Sequence, residues 1–323
     1  MQRRTLISAI GGVPLALAAS RHACASTATP LRIVVPYAAG GPTDAMARVL
    51  QPGLQASAET PVIVDNVPGA GGSIGALNVL RAPADGKTLF LGNNGPSAVT
   101  PLILGKSAGF SPADFIPVGL LARATMMLAI SSAVPAGDLA SFVEYARANP
   151  GRLNFASAGV GSLGHLASEY LARQLGLQMT HVAYKGQAPT LTALLSNEVQ
   201  MLLTTPTGAM RSYIDGKRIK LIALTSEQAS PQYPQAALLK EQVPGFVLYS
   251  WFSLMARKGT PEPALHALRR TLQQVLAQTE LQQKFEGFGL MATWSGPETV
   301  ERYISQDLER WGPIIRDKKI QLT

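Results

Sequence analysis

Two glycine-rich turns constrain this chain more than any other feature: PYAAGGPTD at Pro36 to Asp44 and SAGVGSLGH at Ser157 to His165, each between a strand-like run and a helix-like run. Where a strand gives way to a helix, the first helical turn carries N–H groups without intrahelical partners, and the macrodipole adds positive potential. Glycine lets an anion approach that backbone closely. Two such ends, far apart in sequence, can grip one acidic ligand from opposite sides.

The surrounding pattern is α/β. Arg32 to Val35, Val62 to Val64 and Thr88 to Leu91 read as buried strands, with helix faces between them at Ala45, Met46, Val49, Leu50 and at Ile74, Leu77, Leu80. Strand and helix in alternation predict a parallel sheet with right-handed crossovers. The pattern restarts at Met127 to Ile130 and continues through a helix capped by Asp138, then Leu153 to Ala156 and the second turn. Further strands are predicted at His181 to Tyr184, Val199 to Leu203 and Ile219 to Ala223. Phe115 to Ala124 and Val247 to Ala256 read as extended apolar segments where the chain crosses between two units and returns. Pro52-Gly53 predicts that the first helix ends early or kinks. The C-terminal part predicts helices with Leu265, Leu268, Leu272 and Val275 on one face and Val300, Ile304, Leu308 and Trp311 on another.

Six blocks occur in order: Val34-Val35-Pro36-Tyr37 with Gly40-Gly41 and Thr43-Asp44; Asn66 with Pro68 to Gly72 and Ile74-Gly75-Ala76; Asp85-Gly86 with Thr88; Ala158-Gly159 with Gly161-Ser162 and His165-Leu166; Tyr184-Lys185-Gly186 with Ala188-Pro189; and Ser250-Trp251-Phe252. Together they resemble the Bug-type, TctC-like periplasmic solute-binding proteins, the receptor class of tripartite tricarboxylate transporters. The resemblance implies a two-lobed, type II-like Venus-flytrap fold with a mainly parallel sheet in each lobe and a ligand cleft between. Lobe one would be 29–124 plus 248–323, and lobe two 125–247. It also implies a non-catalytic monomer without cofactor or metal, binding a small organic acid or amino acid and handing it to a membrane permease. The chain departs from the family at Ala39, where proline is common, at Val67, where arginine is common, and at Asn197 to Gln200, where Gly-x-Val-Asp is usual.

The residue types of the loops suit a carboxylate. The first offers backbone N–H groups near Ala39, Gly40, Gly41 and Thr43, the Thr43 hydroxyl and an aromatic wall from Tyr37; Pro42 has no N–H to give. The second offers N–H groups near Ala158, Gly159 and Gly161 and the Ser162 hydroxyl. Tyr184, Lys185 and Gly186 end another strand of lobe two, while Ser73, Asn93 and Asn94 hold corresponding positions in lobe one, at the carboxyl ends of strands where α/β ligands sit. Asp44 has two readings, a structural cap or a partner for a ligand ammonium or hydroxyl. His165 reads as a ring that orders its loop.

Other functions fit less well. Neither loop is a P-loop or a GxGxxG fingerprint. The +8 formal charge concentrates small anions, but the basic clusters at Lys217-Arg218 with Lys220 and at Arg316 with Lys318-Lys319 lack interleaved aromatics, which argues against nucleic acid. A hydrolase built on Ser162 would lack assembled acid, base and oxyanion groups. A sensor that reports to a signalling partner remains open beside the transport receptor.

At the N-terminus, the basic head Met1 to Arg4, the apolar stretch Leu6 to Ala19 and the small-x-small Ala23-Cys24-Ala25 predict a cleavable leader over 1–25 and a mature start at Ser26 in the periplasm. Arg3-Arg4 fits the twin-arginine route as well as the general secretory one. Cys24 is the sole cysteine and leaves with the leader, so the mature chain has no disulfide.

Overall fold

The computed structural model describes residues 29–184 and 186–322. The leader, the cleavage point before Ser26 and Lys185 lie outside them. The first unit runs β1 (Leu31–Val35), α1 (Pro42–Ala58), β2 (Val62–Asn66), α2 (Ser73–Arg81), β3 (Thr88–Asn93), a short α3 (Thr100–Leu104) and the long β4 (Phe115–Thr125). The second unit holds β5 (Met127–Ser131), α4 (Leu139–Ala148), β6 (Leu153–Ser157), α5 (Leu163–Leu175), β7 (Met179–Ala183), α6 (Gln187–Leu195), β8 (Met201–Thr204), α7 (Gly208–Asp215), β9 (Ile219–Leu224), β10 (Ala237–Leu238) and α8 (Leu239–Gln242). The chain then returns through β11 (Tyr249–Arg257) to α9 (Glu262–Leu276), α10 (Thr279–Gly287), β12 (Met291–Ser295) and α11 (Pro297–Asp317).

Two six-stranded sheets result, ordered β12-β4-β11-β3-β1-β2 and β10-β9-β5-β8-β6-β7. The predicted crossing segments are β4 and β11, which pair with each other from Tyr249 opposite Thr125 to Arg257 opposite Phe115. They bring antiparallel pairings into sheets in which most strands run the same way. β1 is parallel to β2 and β3, but β11 runs antiparallel to both β3 and β4, as β12 does to β4, so the first sheet is mixed. In the second, β5 is antiparallel to β8 and β9. A strand arriving from the other unit enters in the reverse sense, and local periodicity carries no record of that.

Most apolar faces read from sequence are buried, but α2 departs: it buries Gly75, Ala76 and Val79, while Ile74, read as part of its inner face, is 51% exposed. Met46, Leu50 and Leu54 of α1 pack with Ile33, Leu89, Leu254 and the Leu272 and Val275 stripe of α9. Leu166 and Leu171 of α5 pack with Leu128, Ile130, Phe142 and Phe155.

Two further elements depart from expectation. α1 runs unbroken through Pro52. A Cβ at Gly53 would stand 2.8 Å from Val275 Cγ1, so glycine lets α1 seat closely on α9, and this packing outweighs the hydrogen bond that proline forgoes. The span 248–323 also does not stay wholly with the first unit. Val300 packs there, but Trp311, Ile314, Ile315 and Ile320 join the core of the second. Arg173 to Asp317 and Lys318 to Glu169 add ion pairs on the same side, both at 2.7 Å. Among the described residues, no helix is long and apolar enough to cross a membrane.

Candidate functional site

The first glycine loop leaves the carboxyl end of β1 and enters α1 through Gly41, an N-cap residue with extended backbone. Gly40 has φ +87°, a conformation glycine accepts readily. Asp44 folds back from the first helical turn: its Oδ2 accepts the Gly40 N–H at 2.8 Å and Arg48 Nε at 3.0 Å. Arg48 reaches on to Asn66 Oδ1, and Asn66 Nδ2 donates to the Tyr37 carbonyl, which ties the loop to the end of β2. Burial works to raise the Asp44 pKa, but Arg48, the Gly40 amide and Asn66 outweigh it and hold the carboxyl below its usual range. This geometry supports the structural reading of Asp44. The Gly40 N–H is spent inside the loop, whereas those of Gly41, Thr43 and Asp44 have no hydrogen-bond partner among the described residues.

Tyr37, half-buried, donates its hydroxyl to Asn93 Oδ1 at 2.9 Å, and the same oxygen accepts the Gly95 N–H. Burial pushes the phenol up to about 12 despite the Asn93 bond, so it stays a neutral donor. Ser73, the first residue of α2, is buried, and its Oγ has no hydrogen-bond partner among the described residues. An unpaired buried hydroxyl at a helix start suits a ligand or an ordered water.

Asn94 corrects the sequence reading. It is 2% exposed; its amide donates to Asp307 Oδ2 and the Tyr249 carbonyl and accepts from Trp251 N. Asn94 follows the end of β3 in helical backbone, φ −46° and ψ −45°, and its side chain turns into the packed interior, away from that of Asn93.

The second loop is more fully engaged than its sequence suggests. Gly161 N–H donates to His165 Nδ1 at 3.1 Å, and Ser162 Oγ caps α5 by accepting the His165 N–H. Ser157 Oγ donates to the Gly159 carbonyl, accepts the Gly159 N–H and lies 2.7 Å from His181 Nε2. The amides of Gly159 and Gly161 are therefore not free donors, contrary to expectation. With its Nδ1 accepting, His165 carries its proton on Nε2. Its ring stacks on His181 at 3.7 Å, with Phe155 behind at 5.0 Å from His181. Ser162 thus meets the backbone of His165 and not its imidazole, so the two do not form a nucleophile and base.

Burial first, then the neighbouring His181 and Lys318, push His165 down to about 3. The unfolded chain protonates near 6.5 while the folded ring resists, so the stability it contributes is full above that pH and is lost as pH falls toward 3. Its share is about 2 kcal/mol by roughly pH 5. In urea titrations, the stability difference between wild type and His165→Gln should shrink by that amount from neutral to acid pH. A difference that does not change with pH would refute the neutral-ring assignment.

Tyr184 turns its hydroxyl to Glu198 Oε1 at 2.7 Å, and burial followed by Glu198 pushes the phenol up to about 12. Gly186 N donates to the Ala158 carbonyl, which joins the two strand-end turns of the second unit. Gln200, where the family usually has an acid, accepts the Asn154 N–H through Oε1, so it locks strand ends together.

The two units meet beside the loops. A Cβ on Gly161 would stand 2.7 Å from Ile103 and 3.1 Å from Leu322; one on Gly71 would stand 3.1 Å from Leu322. Ile103 and Leu322 were invisible as contact residues in sequence, since one lies in a short helix and the other in a terminal segment, neither with a readable period. Arg48, Asn66 and His181 were likewise missed as loop-holding residues. Among the described residues, no hydrogen bond joins the Pro36 to Asp44 loop to the Ser157 to His165 loop, and no three His, Cys, Asp or Glu gather as metal ligands would.

The family model for the tripartite tricarboxylate transporter family receptor matches residues 46–320. The chain belongs to that receptor family. It is 31% identical over 317 residues to the UPF0065 protein in the tcbD-tcbE intergenic region of Pseudomonas sp. strain P51, covering 96% of this chain and 94% of that one. The periplasmic binding protein BugD matches with TM-score 0.76 and 29% identity, over 91% of this chain and 99% of its own. R. palustris Rpa4515, solved with adipate, matches with TM-score 0.80 and 29% identity over the same shares. Receptors of this family bind solutes in the periplasm and are not enzymes.

Proposed function

We propose that this receptor closes around a small carboxylic acid in the periplasm and presents it to a tripartite tricarboxylate-type permease. The observation that carries this reading is the first loop: Asp44 and Arg48 hold it rigid while the N–H groups of Gly41, Thr43 and Asp44 stay unpaired at a helix start. A carboxylate placed there gains charge-assisted hydrogen bonds without reorganising the loop. From the second lobe, the grip comes from the unspent first-turn N–H groups of α5, at Leu163 and Gly164, with the His165 bond fixing the turn before them. Because Asp44 is committed to Arg48, the ligand needs no ammonium, and the adipate bound by Rpa4515 has the matching chemistry.

A ligand at one hundred times its dissociation constant adds about 2.7 kcal/mol to the folded state. Thermal melts with adipate, malate, citrate, glutamate and glucose should show a shift with at least one acid. Stabilisation by glucose, with none by any acid, would sink the carboxylate reading.

A further inference from the structure

The crossing strands and the last helix enclose a second cavity. On the sheet, Arg123 of β4 stands directly opposite Trp251 of β11, and Tyr249, two residues before Trp251, shares that face. On α11, Tyr303, Gln306, Asp307 and Arg310 recur at helical spacing and form the facing stripe. The space between is about 290 Å³, closed from the second unit by Val247 and Leu248 and bordered by Glu227. This lies near the lower end of the roughly 300–1,000 Å³ typical of small-molecule sites.

Its lining sets two arginines beside the buried Asp307 carboxylate and the Glu227 rim. The Arg123 guanidinium lies 4.7 Å over the Tyr249 ring, and its buried Nε has no hydrogen-bond partner among the described residues. Arg310 spends Nη1 on the Val247 carbonyl at 3.0 Å. Among the described residues, neither arginine is in an ion pair. The nearest buried carboxylate, Asp307, accepts instead from Asn94, Trp251 and Trp311.

We infer that this cavity is a second binding site, apart from the loop cleft, for a small aromatic carboxylate. The ring would lie among Tyr249, Trp251 and Tyr303, and the carboxylate would take the free N–H groups of Arg123 and Arg310. Because the cavity is walled by β4 and α11 on one side and by Val247 and Leu248 on the other, its occupant touches the segment that joins the two units.

The test is 4-fluorobenzoate followed by 19F NMR titration of the full protein. Binding is expected, weakened about tenfold or more by Arg123→Gln and by Arg310→Gln, each of which removes a charge-assisted hydrogen bond. Glu227→Gln should tighten it by removing a like charge from the rim, and Gly41→Val, in the loop cleft, should leave it unchanged. Circular dichroism checks each fold; should Arg123→Gln misfold, the half-exposed Arg310 on α11 carries the test. No binding, equal binding of neutral 4-fluorobenzyl alcohol, or loss in Gly41→Val with retention in both arginine variants would each overturn the site.

Discussion

Gly41→Val should leave the protein folded and weaken carboxylate binding by about a hundredfold, since it blocks approach to N–H groups whose charge-assisted bonds are worth about 1.5–3 kcal/mol each. The position separates binding from folding. Gly41 has φ −84°, which any residue adopts, and a Cβ there would meet nothing closer than the Ala38 carbonyl at 3.8 Å. A valine at Gly41 therefore acts only by blocking approach to the backbone. Gly161→Val is different: φ is +75° and the new side chain would collide with Ile103 and Leu322, so fold and binding should suffer together. Isothermal titration with the acid that shifts the melt most, beside a denaturation curve, distinguishes the two variants. A folded Gly41→Val that binds normally would reduce the first loop to a turn.

Asp307→Ala should cost several kcal/mol, at about 1–3 kcal/mol for each buried donor it orphans, a large part of the roughly 5–15 kcal/mol that holds a domain together. The carboxylate is 5% exposed and accepts from Asn94 Nδ2 at 2.8 Å, Trp251 Nε1 at 2.9 Å and Trp311 Nε1 at 3.0 Å. Removing it orphans three buried donors, from the end of β3, a crossing strand and α11. Urea unfolding measures the loss, and wild-type stability in the variant would contradict it. Burial raises the carboxyl to about 6, with the three donors pulling the other way. The folded state then holds its proton where the unfolded chain, at 3.8, does not, so this group's contribution falls as pH rises through that window. His165 contributes the opposite slope over much of the same range, and the two partly cancel. Asp307→Asn removes one of them and should make the protein more sensitive to acid than wild type.

Much of the site was legible because its causes are local. Glycines at Gly40, Gly41, Gly159 and Gly161 mark turns, and Asp138 stands before its helix as a cap does, whereas Ser162, whose hydroxyl was read as a ligand donor, caps α5 instead. Although α3, α7, α8, α10, β10 and β12 went unread, apolar spacing placed most of the strands within a residue or two. These signals depend on the chain's own dihedrals and on side chains within one turn, so the sequence carries them openly.

What the sequence could not express depends on partners far along the chain. Which N–H groups are free follows from His181 meeting Ser157 and from Asp44 being held through Arg48 to Asn66. Asn93 and Asn94 are neighbours, yet one faces Tyr37 and the other Asp307, a partner 213 residues away. The first sheet takes antiparallel pairs because β11 returns from the other unit and the second because β5 arrives from β4, and α11 begins in one core and ends in the other because Trp311, Ile314 and Ile315 bury there. Periodicity tells a residue whether to be inside; only the packed fold decides inside what, and a hydrogen-bond donor is free or spent according to which distant acceptor that packing delivers.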